Sequence, residues 1–301
     1  MRGYKGFNRN EEGTLSCRNF TYKVGETYKH DGEIELCESG FHACNELHQT
    51  WPFYPNNGNN VFYEVEFGGD IIESEDGDGK FVCSEITILR EVDMSGVGVF
   101  DNAEFFYNGY AKVWRDHKRN HISTDGKLVS EEWWDYSGEF RECYAWVCKD
   151  GKFNHIGTDG KLVSTEWFDE AWDFCNGYAV VRKGNKYNHI GTDGKLLSEE
   201  WWDYARNFQE GYACVCKDEK YNHIDTDGKL LSTEWRDDAW DFRNGYTWVR
   251  KDGKFNHIST DGKLLSTEWW DYAYSFCEGY ALVRKDGKEY KIDTNGNVTK
   301  S

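Results

Sequence analysis

Along Tyr178-Ala179-Val180-Val181-Arg182-Lys183, positions that stay apolar from copy to copy alternate with positions that change. That two-residue period is the signature of a strand with one buried face. Lys183-Gly184-Asn185-Lys186 follows as a turn, and 187–191 reads as the return strand. Thr192-Asp193-Gly194-Lys195 makes a second tight turn before a third short strand at Leu196-Leu197-Ser198. Elsewhere the first turn is Asp150-Gly151, Asp252-Gly253 or Asp286-Gly287, the dipeptide that accepts positive φ at both central positions of a hairpin. The pattern predicts a small antiparallel meander of three or four strands. Such a unit is too small to be stable alone and must bury its apolar set against a neighbour.

The neighbours are in the sequence. The pattern recurs every 34 residues through 97–300, six copies without insertion. Gly-Tyr-Ala returns at Gly109, Gly177, Gly211 and Gly279, and Asn-His-Ile at Asn120, Asn154, Asn188, Asn222 and Asn256. Val113, Val147, Val181, Val215, Val249 and Val283 recur unchanged, as does phenylalanine from Phe106 to Phe276, and these rows read as core ladders. A fixed period of this kind predicts a stacked array. The terminal copies are atypical: the first has Val99-Phe100 where later ones begin with Trp after Glu, and the last ends in the polar 295–300. Caps of that sort favour an open, superhelical β-array, with a six-bladed propeller as the alternative. The fold expected is all-β in 97–300 behind a small α+β head in 1–95.

Composition adjusts this picture in two respects. Fourteen Trp, 19 Tyr and 18 Phe supply core volume that the low apolar fraction of 38% would otherwise lack. A net charge of −18 argues against direct nucleic-acid or anionic-membrane binding and makes a protein with a basic surface the electrostatic match. No apolar run is long enough to span a bilayer, and the N-terminus lacks a secretory core, so a cytoplasmic location is expected. Cys143, Cys148, Cys175, Cys214, Cys216 and Cys277 occupy positions filled by other residues in neighbouring copies, which suits thiols better than disulfides.

Several groups invite a chemical reading. His121, His155, His189, His223 and His257 fall at one position of the unit, either a pH-sensitive or ion-binding row or, more economically, a repeated structural hydrogen bond. Ser74–Gly79 with Glu85 partly matches a calcium loop, but strands rather than helices flank it, so an acidic hairpin turn is expected. Cys17, Cys37, Cys44 and Cys83 match no common zinc spacing. Neither a metal nor a cofactor is expected, and no catalytic residue can be assigned. The partner-binding candidates lie on the array. Trp114, Trp146, Arg182, Trp248, Arg250 and Arg284 occupy the variable face beside Gly-Tyr-Ala. Trp134, Trp202 and Trp270 are second members of tryptophan pairs, replaced by Phe168 and Arg236 elsewhere and therefore expected to face solvent.

The pattern Phe-Asp-x-Ala-x-x-Phe-x-x-Gly-Tyr-Ala-x-Val-x-Lys-x-Gly-Lys, followed by Ile-x-Thr-Asp-Gly-Lys, resembles the WG (KWG) repeats of bacterial and phage-encoded proteins. It departs at the motif that names the family, which here reads Phe153-Asn154-His155-Ile156. The resemblance implies a β-repeat scaffold without catalytic residues. The head, with Cys17–Tyr22, Cys37–Cys44 and 61–67, resembles small uncharacterised domains of phage-encoded proteins, and more faintly an ADP-ribosyltransferase-like fold. The leading expectation is a non-enzymatic, intracellular protein-binding scaffold or inhibitor. An ADP-ribosyltransferase-like or nucleotide-binding head with the repeats as targeting module, or a glycan-binding array, are the alternatives.

Overall fold

The computed structural model describes residues 1–10 and 13–300. Its chain divides into two compact units: 1–140 with 147–150 and 158–161, and 141–146 with 151–157 and 162–301.

In the first unit the head is a seven-stranded antiparallel sheet. Strand Arg2–Arg9 pairs with Asn60–Glu73, which pairs with Lys80–Glu91, which pairs with Phe41–Cys44, which returns to the first strand at Tyr4↔Cys44. The circuit closes because the long hairpin is bent by register shifts at Glu64/Val65 and Gly68/Ile71, and bulges increase strand curvature. Phe7, Val65, Phe67, Phe81, Ile86 and Ile88 fill the interior. The hairpin turn is the acidic loop 74–79, closed by Ser74 N–H donating to the Lys80 carbonyl at 2.9 Å.

The α+β expectation for the head is corrected. Among the described residues it holds no α-helix, only a 3-10 turn at Leu47–Thr50. Pro52 and Pro55 follow at once, and neither can donate the backbone hydrogen bond that a continuing helix requires. The segment after the turn instead inserts Trp51 against Phe100 and Phe106 of the first repeat, at 5.8 and 5.9 Å between ring centroids. Phe100, which stands one period before Trp134 and two before Phe168, is fully buried there.

The array is six meanders, as the sequence pattern predicts. Each has a two-residue strand and two six-residue strands, for example Glu170–Ala171, Tyr178–Lys183 and Lys186–Gly191. Asp150 and Gly151 take φ of 52° and 73°, the geometry that a two-residue hairpin needs. A partial fourth strand forms where Ile190 bridges Leu196 and Leu197 N–H donates to the His189 carbonyl. The last unit completes this feature as a strand, Val298–Lys300.

Three devices join one meander to the next. Within the second unit, Gly194 lies over the preceding copy so closely that a β-carbon there would sit 1.8 Å from the Val163 carbonyl oxygen. Asn188 donates from Nδ2 to the Ser198 and Glu200 carbonyls at 2.8 and 3.0 Å, while its Oδ1 accepts from the His189 N–H at 2.8 Å. His189, fully buried, hydrogen-bonds the Arg206 carbonyl through Nε2 at 2.7 Å and sets its ring edge-on to Phe208. The other Asn-His pairs repeat this arrangement, His121 on Gly138, His155 on Trp172, His223 on Trp240 and His257 on Tyr274. The histidine row is therefore part of the stack.

A fourth device has twice the period. Position 142 of the second copy holds Glu, and both its carboxylate oxygens accept N–H groups of the next copy, Asn176 at 2.8 Å and Gly177 at 2.9 Å. Glu210 does the same to Asn244 and Gly245, both at 2.8 Å. The intervening copies hold Asn instead, and Asn176 and Asn244 donate from Nδ2 to the carbonyls of Phe208 and Phe276. Glu278 belongs to the Glu series, with no following copy to clasp among the described residues. Glu210→Ala is expected to cost about 1–2 kcal/mol, since two charge-assisted but exposed hydrogen bonds are lost. Glu278→Ala should change stability by less than about 0.5 kcal/mol. Urea denaturation of the two variants checks this, and equal losses would refute the clasp.

Candidate partner-binding surface

The strand registers divide each meander into two faces. In the third copy Ala171, Val181 and Asn188 stand opposite one another and face the core with Ala179 and Ile190. The other face carries Glu170, Arg182 and Tyr187 in one cross-strand row, with Val180 and Trp172 beside it. The recurring Ala and Val thus lie inward and the variable positions on the other face, where the buried His189 also stands, opposite the buried Val180.

The outward face is rich in rings and arginines, and they touch from copy to copy. In the second unit Trp172 lies 5.9 Å from Tyr187, and Tyr187 lies 5.8 Å from Tyr204 of the next copy. Arg206 stacks its guanidinium 4.0 Å above Trp240, one full repeat away. Trp240 stacks on Trp248 within 13° of parallel, Trp248 meets Phe255, and Phe255 meets Tyr272. Tyr272 packs on Tyr274, over which Arg284 sits. In the first unit Arg119 bridges Trp114 and Tyr136 in the same manner. The rings remain accessible, with Trp172 40% and Trp240 44% exposed. Packed aromatic and guanidinium planes lose little rotamer freedom on contact with a ligand, which suits a binding surface.

The arginines are neutralised locally. Arg182 meets Glu170 at 2.5 Å, Arg284 meets Glu289 at 3.2 Å, and Arg250 and Arg206 lie 3.6 Å from Asp238 and Asp241. Asp241 is raised above the usual carboxylate range by burial, which outweighs the opposing attraction of Arg206. These acids hold the guanidinium planes in place.

Of the residues expected to bind, Trp114, Trp146, Arg182, Trp248 and Arg250 are half-buried on this face and Arg284 is exposed. Trp134, Trp202 and Trp270 are different. Each is at most 2% exposed, which overturns the expectation that they face solvent. Trp202 N–H donates to the Tyr187 carbonyl, and the side chain joins the core of its copy with Ala205 and Phe208. Arg236, at the same position, is also buried and forms an ion pair with Glu234, so a polar residue there did not signal exposure. The sequence reading missed Tyr187, Tyr204, Tyr272 and Tyr274. Their signal was available in the cross-strand spacing, which places them on the face that holds Arg182.

Among the described residues no group of three or more His, Cys, Asp or Glu is placed to hold a metal. No helix of these residues is long and apolar enough to cross a membrane.

Residues 156–187, 190–221, 237–255 and 269–288 match the WG containing repeat, which places WG repeats across 156–288. Residues 1–99 match a domain of unknown function, DUF7666. No curated protein matches the chain. Among solved structures, one described as the eukaryotic initiation factor aligns over 99% of this chain and 95% of its own, at 10% identity and a TM-score of 0.40. Hsv2p of Kluyveromyces lactis aligns over 77% and 92%, at 11% identity and a TM-score of 0.32. Likenesses at this level say nothing of function.

Proposed function

We propose that the chain is a non-enzymatic, cytoplasmic binding protein whose WG array docks a partner protein along the aromatic and arginine stripe. The observation that carries this reading is the ring-to-ring continuity from Trp240 through Trp248 and Phe255 to Tyr274 on the outward face. The net charge of −18 supports a partner with a basic surface, drawn in by long-range attraction and held by the rings. All ten cysteines are free thiols, in keeping with a reducing compartment. We read the C-terminal end of the array as open: Val298–Lys300 pairs only with Lys288–Asp293 among the described residues, and its side chains are exposed.

The immobilised full-length protein, exposed to lysate of its source cell, should retain one stoichiometric protein at about 50 mM salt and release it near 0.5 M. Trp240→Ala should weaken that interaction at least about 30-fold, the effect of losing a hot-spot ring worth about 2 kcal/mol. Capture of no partner at low salt, capture insensitive to Trp240→Ala, or tryptophan quenching by glycans in place of protein capture would each overturn the proposal.

A further inference from the structure

The head contains a cavity of about 550 Å³, within the size range of small-molecule sites. It opens between strand Arg2–Arg9, the segment Cys37–Cys44 and the residues around the 3-10 turn. One wall is aromatic. Phe20, Tyr22 and Phe41 pack edge-to-face or tilted at 4.8 to 6.3 Å, and Phe20 is 43% exposed. Tyr54 supplies another ring, laid against Gly6 so closely that a β-carbon there would be 2.4 Å from its Cγ. The glycine thereby leaves room for a ring on the strand.

Four cations line the cavity in a chain that is otherwise strongly acidic. Two are neutralised: Lys29 by Glu85 at 3.0 Å and Lys80 by Asp78 at 3.2 Å. The other two are not. Lys5 is only 4% exposed, yet among the described residues its ammonium donates to a single acceptor, the His42 carbonyl at 2.6 Å, and otherwise faces the rings of Phe7 and Tyr22. Among the described residues Arg18 donates only to the Cys37 and Glu38 carbonyls. Asp31 and Glu38 also line the cavity, but neither forms an ion pair with Lys5 or Arg18 among the described residues. A buried ammonium with two unused donors and no counter-ion is costly unless something anionic joins it. His42 stays neutral beside them, because burial, and then Lys5 and Arg18, push it down to about 4. Its Nε2 accepts from the Cys37 N–H at 2.7 Å, so Nδ1 carries the proton.

We propose that this cavity binds a small aromatic anion, a flat ring bearing phosphate or carboxylate, with Lys5 and Arg18 on the charge and the Phe20, Tyr22, Phe41 and Tyr54 rings on the plane. The cavity is separate from the array stripe, so this proposal and the docking reading fail independently.

Calorimetry on the full-length chain tests it with nucleoside 5′-monophosphates in one arm and indole-3-carboxylate and benzoate in the other. Adenosine and inorganic phosphate serve as half-ligands. Binding in either arm, at least tenfold tighter than both half-ligands, is expected, and the stronger arm identifies the anion. Arg18→Gln should weaken it at least tenfold without shifting the thermal transition, because Arg18 is exposed. Lys5→Met should abolish it, and should Lys5→Met fail to fold, Arg18→Gln alone decides between the outcomes. No heat in either arm, or affinity unchanged in Arg18→Gln, overturns the proposal.

Discussion

Acidified from pH 7 towards pH 4, the protein is expected to lose stability steeply before most of its carboxylates protonate. His121, His155, His189, His223 and His257 are each pushed down to about 4, chiefly by burial, with the hydrogen bond from Nε2 to a carbonyl opposing. In the unfolded chain the same rings titrate near 6.5. Between those values the unfolded state binds more protons than the folded state, so stability is complete above about 6.5 and is withdrawn as pH falls. Each histidine contributes about 1.4 kcal/mol per pH unit within this window, an upper figure of about 3 kcal/mol per residue. His42 in the head acts in the same direction. Asp125, held at about 2 by its bonds to Lys127 and Ser123, acts only at lower pH, so the two regimes separate. Urea midpoints measured at half-unit intervals should fall progressively from pH 6.5 to 4.5, and His189→Gln should remove one histidine's share of the slope. A midpoint flat to pH 4.5 would show that the rings accept protons while folded.

The second large effect is expected at the Thr-Asp-Gly turn. Gly194 has φ of 75° and no room for a β-carbon, its virtual position lying 1.8 Å from the Val163 carbonyl oxygen. Gly194→Ala should cost about 3 kcal/mol, roughly 1 from left-handed strain and the rest from forcing two copies apart. Gly177 has φ of 84° but nothing within 4 Å of its virtual β-carbon. Gly177→Ala should therefore cost only about 1 kcal/mol. Thermal denaturation of both variants separates turn geometry from stacking, and equal losses would remove the stacking role.

Much of the array was legible because each constraint is repeated. Asp-Gly hairpins, the Val and Phe rows and the inward–outward alternation of Tyr178–Lys183 all follow from two-residue periodicity acting on a fixed unit. The tryptophan pairs were misread for a definable reason. Alternation holds only in strands, and Trp201-Trp202 lies in a connecting segment where only Trp202 bridges a strand, at Tyr187. Arg236 reinforced the error, since a guanidinium can be buried once Glu234 pairs with it. In the head no period was available, and the cavity joins residues from 4 to 80 whose proximity depends on long-range strand pairing. Lys5 is buried by neighbours that this pairing brings to it, Tyr22 and His42 among them.

The alternation of Glu142, Asn176, Glu210, Asn244 and Glu278 sets a second, longer period in the array. Glutamate reaches forward to backbone N–H groups, while asparagine reaches forward to a carbonyl, and the two kinds of junction take turns. Copies two apart therefore present the same junction, and adjacent copies present different ones. The period of the junctions is twice 34, or 68 residues, so removing one internal copy would set two glutamates or two asparagines in succession. Removing two adjacent internal copies would leave the order of junctions intact, so an array shortened by such a pair keeps every clasp matched to its acceptor.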